Sequence, residues 1–181
     1  FWRNIAVVVK LVFLAHTTPE TNQKYVNNCD TMEEIKLIPT SRPFIKLGGK
    51  KQSNYKGMRM KTDEGVHEQI CNFISKADIK IDGKRILDWG CGTGALSQRL
   101  IDLGADVISI DIDSESFEAT SKFIPVDFND QDSFALFVDK FNATFDIVIA
   151  SEVIEHVENP WAFIESIKRV LKKNGAALIS T

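Results

Sequence analysis

The chain has 181 residues, 44% hydrophobic and 26% charged, a length and balance that suit one medium soluble domain and exclude collagen, coiled coil and wholesale disorder. Twenty-two Lys and Arg against 25 Asp and Glu leave a formal net charge of −3, with no long basic run, so no footprint for nucleic acid or an anionic membrane stands out. Cys29, Cys71 and Cys91 are too few and too scattered for a disulfide framework or a zinc motif, which points to a reducing compartment, by default the cytoplasm.

The chain opens on Phe1 and closes at Thr181 inside the apolar run Ala176-Ala177-Leu178-Ile179, so both ends are expected to be cut and the last strands of the domain to be missing. Residues 5–15 are apolar but interrupted by Lys10, and they are about half as long as the roughly 20 residues a membrane-spanning helix needs. A signal-peptide core is the alternative, although no good small-x-small pair follows. Residues 16–30 are polar and without period, and 1–31 are a candidate for exclusion from the folded domain. Pro43, Gly48, Gly49, Gly57 and several lysines between 40 and 61 read as an arm laid over a surface rather than a core element. Residues 1–61 are therefore assigned to an N-terminal arm and 62–181 to the folded core.

Thr62 is placed to cap a helix with Asp63 and Glu64 in its first turn, and Val66, Ile70, Phe73, Ile74 and Ala77 recur at helical spacing, which predicts a helix over 63–77. From Arg85 short apolar runs alternate with amphipathic segments. Strands are predicted at 85–88, 107–111, 124–127, 145–150 and from 176, and helices at 95–103, 114–122, 132–141 and 160–173. Asn159 caps the last helix, Pro160 takes its first position, and Gly175 follows Lys172-Lys173 as its stop. Strands joined by crossover helices pair in parallel with right-handed connections. The fold class is α/β, a doubly wound, Rossmann-like, mostly parallel sheet with helices on both faces.

In such sheets ligands lie at the carboxyl ends of the strands. There Gly90, Gly92 and Gly94 stand at alternate positions between a strand and a helix, where backbone without Cβ can approach a ligand closely. Gly90, Gly92 and Ala95 also satisfy the dinucleotide pattern, with Asp111 21 residues on as a ribose-binding acid. Charge separates the candidates. Asp88 opens the loop with its carboxylate expected at the mouth, and a diphosphate at 4 Å from it would be opposed by about 4 kcal/mol at an effective dielectric near 20. An ammonium or sulfonium would instead gain. S-adenosyl-L-methionine carries both, and its ribose suits Asp111 equally well, so it is preferred to a nicotinamide dinucleotide.

The run Leu87-Asp88-Trp89-Gly90-Cys91-Gly92-Thr93-Gly94-Ala95 resembles motif I of the class I S-adenosylmethionine-dependent methyltransferases. Ser109-Ile110-Asp111-Ile112-Asp113, Val126-Asp127-Phe128, Phe145-Asp146-Ile147-Val148 and Leu171-Lys172-Lys173-Asn174-Gly175 follow in that family's order. The resemblance covers about 63–181. It implies that Gly90, Cys91, Gly92 and Gly94 line the methionine end, Asp88 lies near its amino group, and Asp111 takes the ribose hydroxyls, with Asp113 as competitor. It further implies that Ile112 packs on the adenine, Asp127 bonds the adenine amino group and Phe128 flanks the ring. Core packing is the plain alternative for Ile112 and Phe128.

Past the fourth strand, Glu152, Glu155 and His156 would share one face if 152–157 were helical. His156 is either a satisfied partner in a connecting turn, a general base for an acceptor hydroxyl, or, with Glu152 and Glu155, a ligand of Mg2+ or another divalent ion that acidifies that hydroxyl. The Glu-x-x-Glu-His pattern resembles the ubiquinone-biosynthesis O-methyltransferases and the small-RNA 2′-O-methyltransferases, in which such residues are tied to metal. The expected activity is methyl transfer to a hydroxyl of a small molecule, a quinone-type phenol or a sugar. RNA 2′-O-methylation and a non-catalytic cofactor-binding module are the alternatives.

Overall fold

The structure, a computed structural model, describes residues 54–62, 65–76 and 79–181. The apolar run 5–15, the polar stretch 16–30, most of the arm and the acidic pair Asp63-Glu64 lie outside the described residues. What is described of the arm is a hairpin, β1 (Asn54–Tyr55) and β2 (Met58–Arg59), turned at Lys56 and Gly57, both with positive φ. It is more than a surface strap, since Met58 and Met60 are buried against Ala95.

Helix α1 (Val66–Lys76) leads into β3 (Arg85–Trp89), α2 (Ala95–Asp102), β4 (Asp106–Asp111), β5 (Lys122–Pro125), α3 (Gln131–Lys140), β6 (Phe145–Ser151), α4 (Pro160–Val170) and β7 (Leu171–Ser180). The last five strands form one sheet in the order β5-β4-β3-β6-β7, every neighbour parallel. The chain order reverses at β3, so the crevice opens beside the carboxyl ends of β3, β4 and β6.

Strand periodicity splits the apolar side chains between two layers. Ile86, Val107, Ile147, Ile149 and Leu178 meet Val66, Ile70 and Ile74 of α1 and Leu96 and Leu100 of α2 on one face. Leu87, Trp89, Ile108, Ile110, Val148 and Ala177 meet Phe137 of α3 and Phe163, Ile167 and Val170 of α4 on the other. Trp89, fully buried, is ringed by Phe128, Phe134, Phe137 and Phe163 at centroid distances of 5.0–6.1 Å. Burial of a fully enclosed ring such as Phe163 contributes about 1.5–3 kcal/mol, and the partly buried Phe128 and Phe134 less.

Three sequence expectations are corrected. No helix forms over 114–122, because that segment's N–H groups have other partners. Asp113 Oδ1 accepts from the N–H of Glu115 and Ser116, Thr93 O from that of Glu118, and Gln98 Oε1 from that of Thr120. Side chains that offer local acceptors compete with helix in this way, and the strand that follows comes earlier than expected and ends at Pro125. The final helix stops at Val170 rather than at Lys173, and Leu171 is already extended and paired with Phe145. Gly175 is consequently no helix stop. It sits within β7 beside Asn174, whose φ is 66°, where the pairing with β6 shifts register. The Asn159 cap is formed as read, Oδ1 accepting from the N–H of Ala162 at 3.1 Å with Pro160 in the first turn.

Candidate functional site

A cavity of about 430 Å3 opens at the carboxyl edge of the sheet. Its floor is the glycine loop, residues 90–94, between β3 and α2. Gly90 has φ 77°, and a Cβ there would sit 2.3 Å from Val153 Cγ2, so Val153, two residues past β6, packs against bare backbone. Gly94 has φ 86°, and a Cβ there would meet Ala119 Cβ at 2.5 Å and Phe117 Cε2 at 2.7 Å, so the coil after β4 lies pressed on the loop. Only glycine meets both demands of conformation and space.

Asp111, the last residue of β4, braces this loop. Its Oδ2 accepts from the N–H of Gly92 at 2.8 Å and its Oδ1 from the N–H of Asp113 at 3.1 Å. Each oxygen keeps a lone pair for a ligand hydroxyl. Asp113, its competitor in the sequence, is instead occupied by Ser116 and Lys61. Ile112 is 65% exposed yet lines the cavity, an apolar surface at the edge of a slot. Asp127 and Phe128 line it too. Asp127 Oδ1 accepts from the N–H of Asn129 at 2.9 Å, and Phe128 rests against Trp89, so its packing and cavity roles coexist.

Asp88 lines the cavity but does not stand open at the mouth as expected. It is 1% exposed, and its Oδ2 accepts from Ser97 Oγ at 2.5 Å. Burial pushes its carboxyl up to about 6; the Ser97 hydroxyl opposes that rise, and the charge of Asp111 adds to it. Burial likewise pushes the Cys91 thiol above its ordinary range, aided by Asp88 and Asp111, so this loop cysteine is an unreactive lining residue.

The other walls come from β6 and from the segment ahead of α1. Residues 152–157 are not the expected α-helix. Ile154–His156 make a single 3-10 turn, and Glu152 precedes it with φ 55°. The N–H of Glu152 donates to Ser180 O at 3.1 Å, and its Oε1 accepts from Ser180 Oγ at 2.9 Å, so β7 holds the carboxylate in place. A side chain kept in this sparsely populated region marks a place where neighbours dictate the backbone. Glu152 and His156 both line the cavity, whereas Glu155 points elsewhere and is exposed. Among the described residues no three His, Cys, Asp or Glu side chains are grouped to hold a metal ion. Glu155 thus stands apart from Glu152 and His156, and the three are not gathered around one point in this structure.

Lys61, Thr62 and His67 line the cavity too; from the sequence only the segment 55–67 as a whole is expected to help set the acceptor, and none of the three individually. Lys61 crosses the glycine loop at Gly92 and donates to Asp113 Oδ2 at 3.0 Å and Ser116 Oγ at 2.9 Å. Thr93 Oγ1 donates to Arg59 O at 2.5 Å, which ties the hairpin to the loop. His67 is 4% exposed with Nδ1 buried and unpartnered, and burial, with the nearby Arg99 cation, lowers its imidazole to about 4. Gly57 after Lys56 was the turn signal for the hairpin, but nothing in the pattern showed where it would dock.

A doubly wound sheet with a cavity over its switch point defines a Rossmann-like ligand-binding protein. Residues 62–181 match the family described as methyltransferase domain, and the chain belongs to that family. Ubiquinone biosynthesis O-methyltransferase of Photorhabdus laumondii is 32% identical over 160 residues, covering 86% of this chain and 62% of the relative. The protein of that name from Psychrobacter arcticus is 33% identical over 129 residues (64% and 50%), and the mitochondrial one of Schizosaccharomyces pombe 36% over 104 (55% and 38%). The chain thus spans about half the length of the curated relatives it matches. Among solved structures, an S-adenosylmethionine dependent methyltransferase from Mesorhizobium loti shares the fold with a TM-score of 0.51 at 17% identity, over 64% of this chain and 53% of that one. Among the described residues no helix is long and apolar enough to cross a membrane.

Proposed function

We propose that residues 62–181 bind S-adenosylmethionine and transfer its methyl group to a hydroxyl of a small molecule, a quinone-type phenol or a sugar. The observation that carries this reading is the charge of the cavity. Asp88, Asp111, Asp127 and Glu152 line it, and Lys61, the one lysine among the described lining residues, is already engaged by Asp113. A sulfonium and an ammonium are welcome there and a diphosphate is not. The curated relatives' names supply the acceptor class.

When bound, S-adenosylmethionine supplies a methyl already activated on sulfur, and the protein's part is to hold, align and exclude water. Gly90, Gly92 and Gly94 leave room for the methionine end beside Cys91, with Asp88 as counter-charge. Asp111 offers its free lone pairs to the ribose. Ile112 and Phe128 cover the adenine, and Asp127 accepts from its amino group. Glu152 and His156, on the wall after β6, stand at the acceptor end, where His156 takes the proton of the hydroxyl as the methyl arrives. Isothermal titration with S-adenosylhomocysteine and with NAD+ tests the reading. Binding of the first alone is expected, and binding of NAD+ alone overturns it.

A further inference from the structure

Behind the glycine loop four polar side chains run in single file from the cavity floor towards β5. Asp88 Oδ2 accepts from Ser97 Oγ at 2.5 Å, Ser97 Oγ lies 2.7 Å from Ser109 Oγ on β4, and Ser109 Oγ lies 2.5 Å from Ser121 Oγ, just ahead of β5. Ser97 and Ser109 are fully buried and Ser121 partly so; none of the three lines the cavity.

A hydroxyl carries one hydrogen and accepts through two lone pairs. Ser97 gives its hydrogen to Asp88, so the contact between Ser97 and Ser109 is filled by the hydrogen of Ser109. That leaves Ser109 with none to give, and Ser121 must donate to it. One carboxylate thereby sets the direction of the whole file, with three O–H dipoles all aimed at Asp88. Aligned hydroxyls polarise one another, so Asp88 receives a stronger bond than one isolated serine would provide.

We propose that Ser109 and Ser121 are positioning residues that act through Ser97 to hold the Asp88 carboxylate anionic and fixed beneath the glycine loop, ready to face a cationic ligand. The ligand half of this statement rests on the S-adenosylmethionine reading; the electrostatic half does not. Other groups around Asp88 are accounted for separately. Asp111 at the end of β4 opposes its ionisation, and Cys91 in the loop is a neutral thiol. His67 at the head of α1, Lys61 ahead of it and Glu152 after β6 share the cavity wall. None of these groups is altered by removing a hydroxyl from Ser109 or Ser121, so the relay can be tested by itself.

The test is a carboxyl 13C titration of the full chain labelled at aspartate, with the Asp88 resonance assigned by its loss in Asp88→Asn. The Asp88 midpoint is expected to rise in the order Ser121→Ala, Ser109→Ala, Ser97→Ala, by about half a pH unit for Ser109→Ala, and Ser121→Thr, which keeps the hydroxyl, should restore it. A midpoint unmoved in both Ser109→Ala and Ser121→Ala overturns the relay. Should Ser109→Ala fail to fold, the partly exposed Ser121 decides alone. Calorimetry with S-adenosylhomocysteine then tests the ligand half: relative to the wild type, Ser109→Ala should bind about two- to threefold more weakly at pH 5.5 and equally at pH 8. Equal binding at both values despite a moved midpoint overturns Asp88's role as counter-charge. A wild type that binds none at either value overturns the cofactor reading, while the titration still judges the relay.

Discussion

Replacing Asp88 by Asn should stabilise the ligand-free protein at neutral pH while weakening it as a binder. The folded-state carboxyl is raised from an ordinary 3.8 to about 6, chiefly by burial. The native state therefore holds this proton more tightly than the unfolded chain does. Stability from this group is full below about pH 4, declines as pH rises towards 6, and stays low above. The displacement corresponds to about 3 kcal/mol, the cost of keeping the ionised group in place at pH 7. Asn is neutral and nearly isosteric, and its side-chain oxygen still accepts from Ser97, so it recovers most of that cost. In thermal unfolding, Asp88→Asn should melt about 5–10 °C above the wild type at pH 8 and level with it near pH 4. S-adenosylhomocysteine should narrow the gap at pH 8, because a cationic ammonium compensates the carboxylate and not the amide. An Asn variant no more stable than the wild type at pH 8 would refute the assignment of Asp88 as a buried, ionised, destabilising residue.

Other perturbations probe the rest of the site. Gly90→Ala combines a φ of 77° with a Cβ 2.3 Å from Val153 Cγ2. It should cost about 1–3 kcal/mol in denaturant unfolding, and adding Val153→Ala should recover only the steric part. Asp111→Ala removes the acceptor for the N–H of Gly92. It should lower affinity for S-adenosylhomocysteine at least about tenfold, whereas Asp113→Ala should change it little. His156→Gln should reduce kcat for methyl transfer by about 10²-fold or more without altering cofactor affinity; a change confined to cofactor affinity would move His156 out of the acceptor end.

The parallel ladder was legible in the sequence because its strands are buried on both faces and read as continuous apolar runs, 145–150 most plainly. Asp111 was legible as a lining residue for a related reason, since it ends β4 at the carboxyl edge of the sheet and so stands at the cavity. Its bond from the N–H of Gly92, which braces the glycine loop, was not part of the sequence expectation, which gave it only a ribose. What misled was competition between local and distant partners. Residues 114–122 look helical when their apolar spacing is considered alone, but Asp113 and Gln98 take the N–H groups a helix would need. The acidic-histidine trio failed similarly, because Ser180 from β7 holds Glu152 ahead of the turn that carries Glu155 and His156. Ser97 was invisible for want of any signal, and Thr62 read only as a helix cap; what each does in the fold arises from which residues stand across from it.

His67 gives the last and strictest check, because it opposes Asp88 in nearly the same pH window. Its imidazole falls from an ordinary 6.5 to about 4, so the folded state refuses a proton that the unfolded chain accepts. Stability from this group is full above pH 6.5 and is lost as pH falls towards 4, the reverse of Asp88. Between about pH 4 and 6 the native state holds one extra proton at Asp88 and lacks one at His67, so the two slopes, each about 1.4 kcal/mol per pH unit, cancel. Asp102 and Asp113, held down to about 2, the first by Lys56 and the second by Ser116, add a rise of stability with pH that is complete by about pH 5. The wild type should accordingly show a nearly flat urea midpoint from about pH 5 to 6. Asp88→Asn should show a midpoint that rises with pH across that interval, and His67→Gln one that falls. Two variants sloping in the same direction would mean that at least one of these buried groups does not carry the charge state deduced from its surroundings.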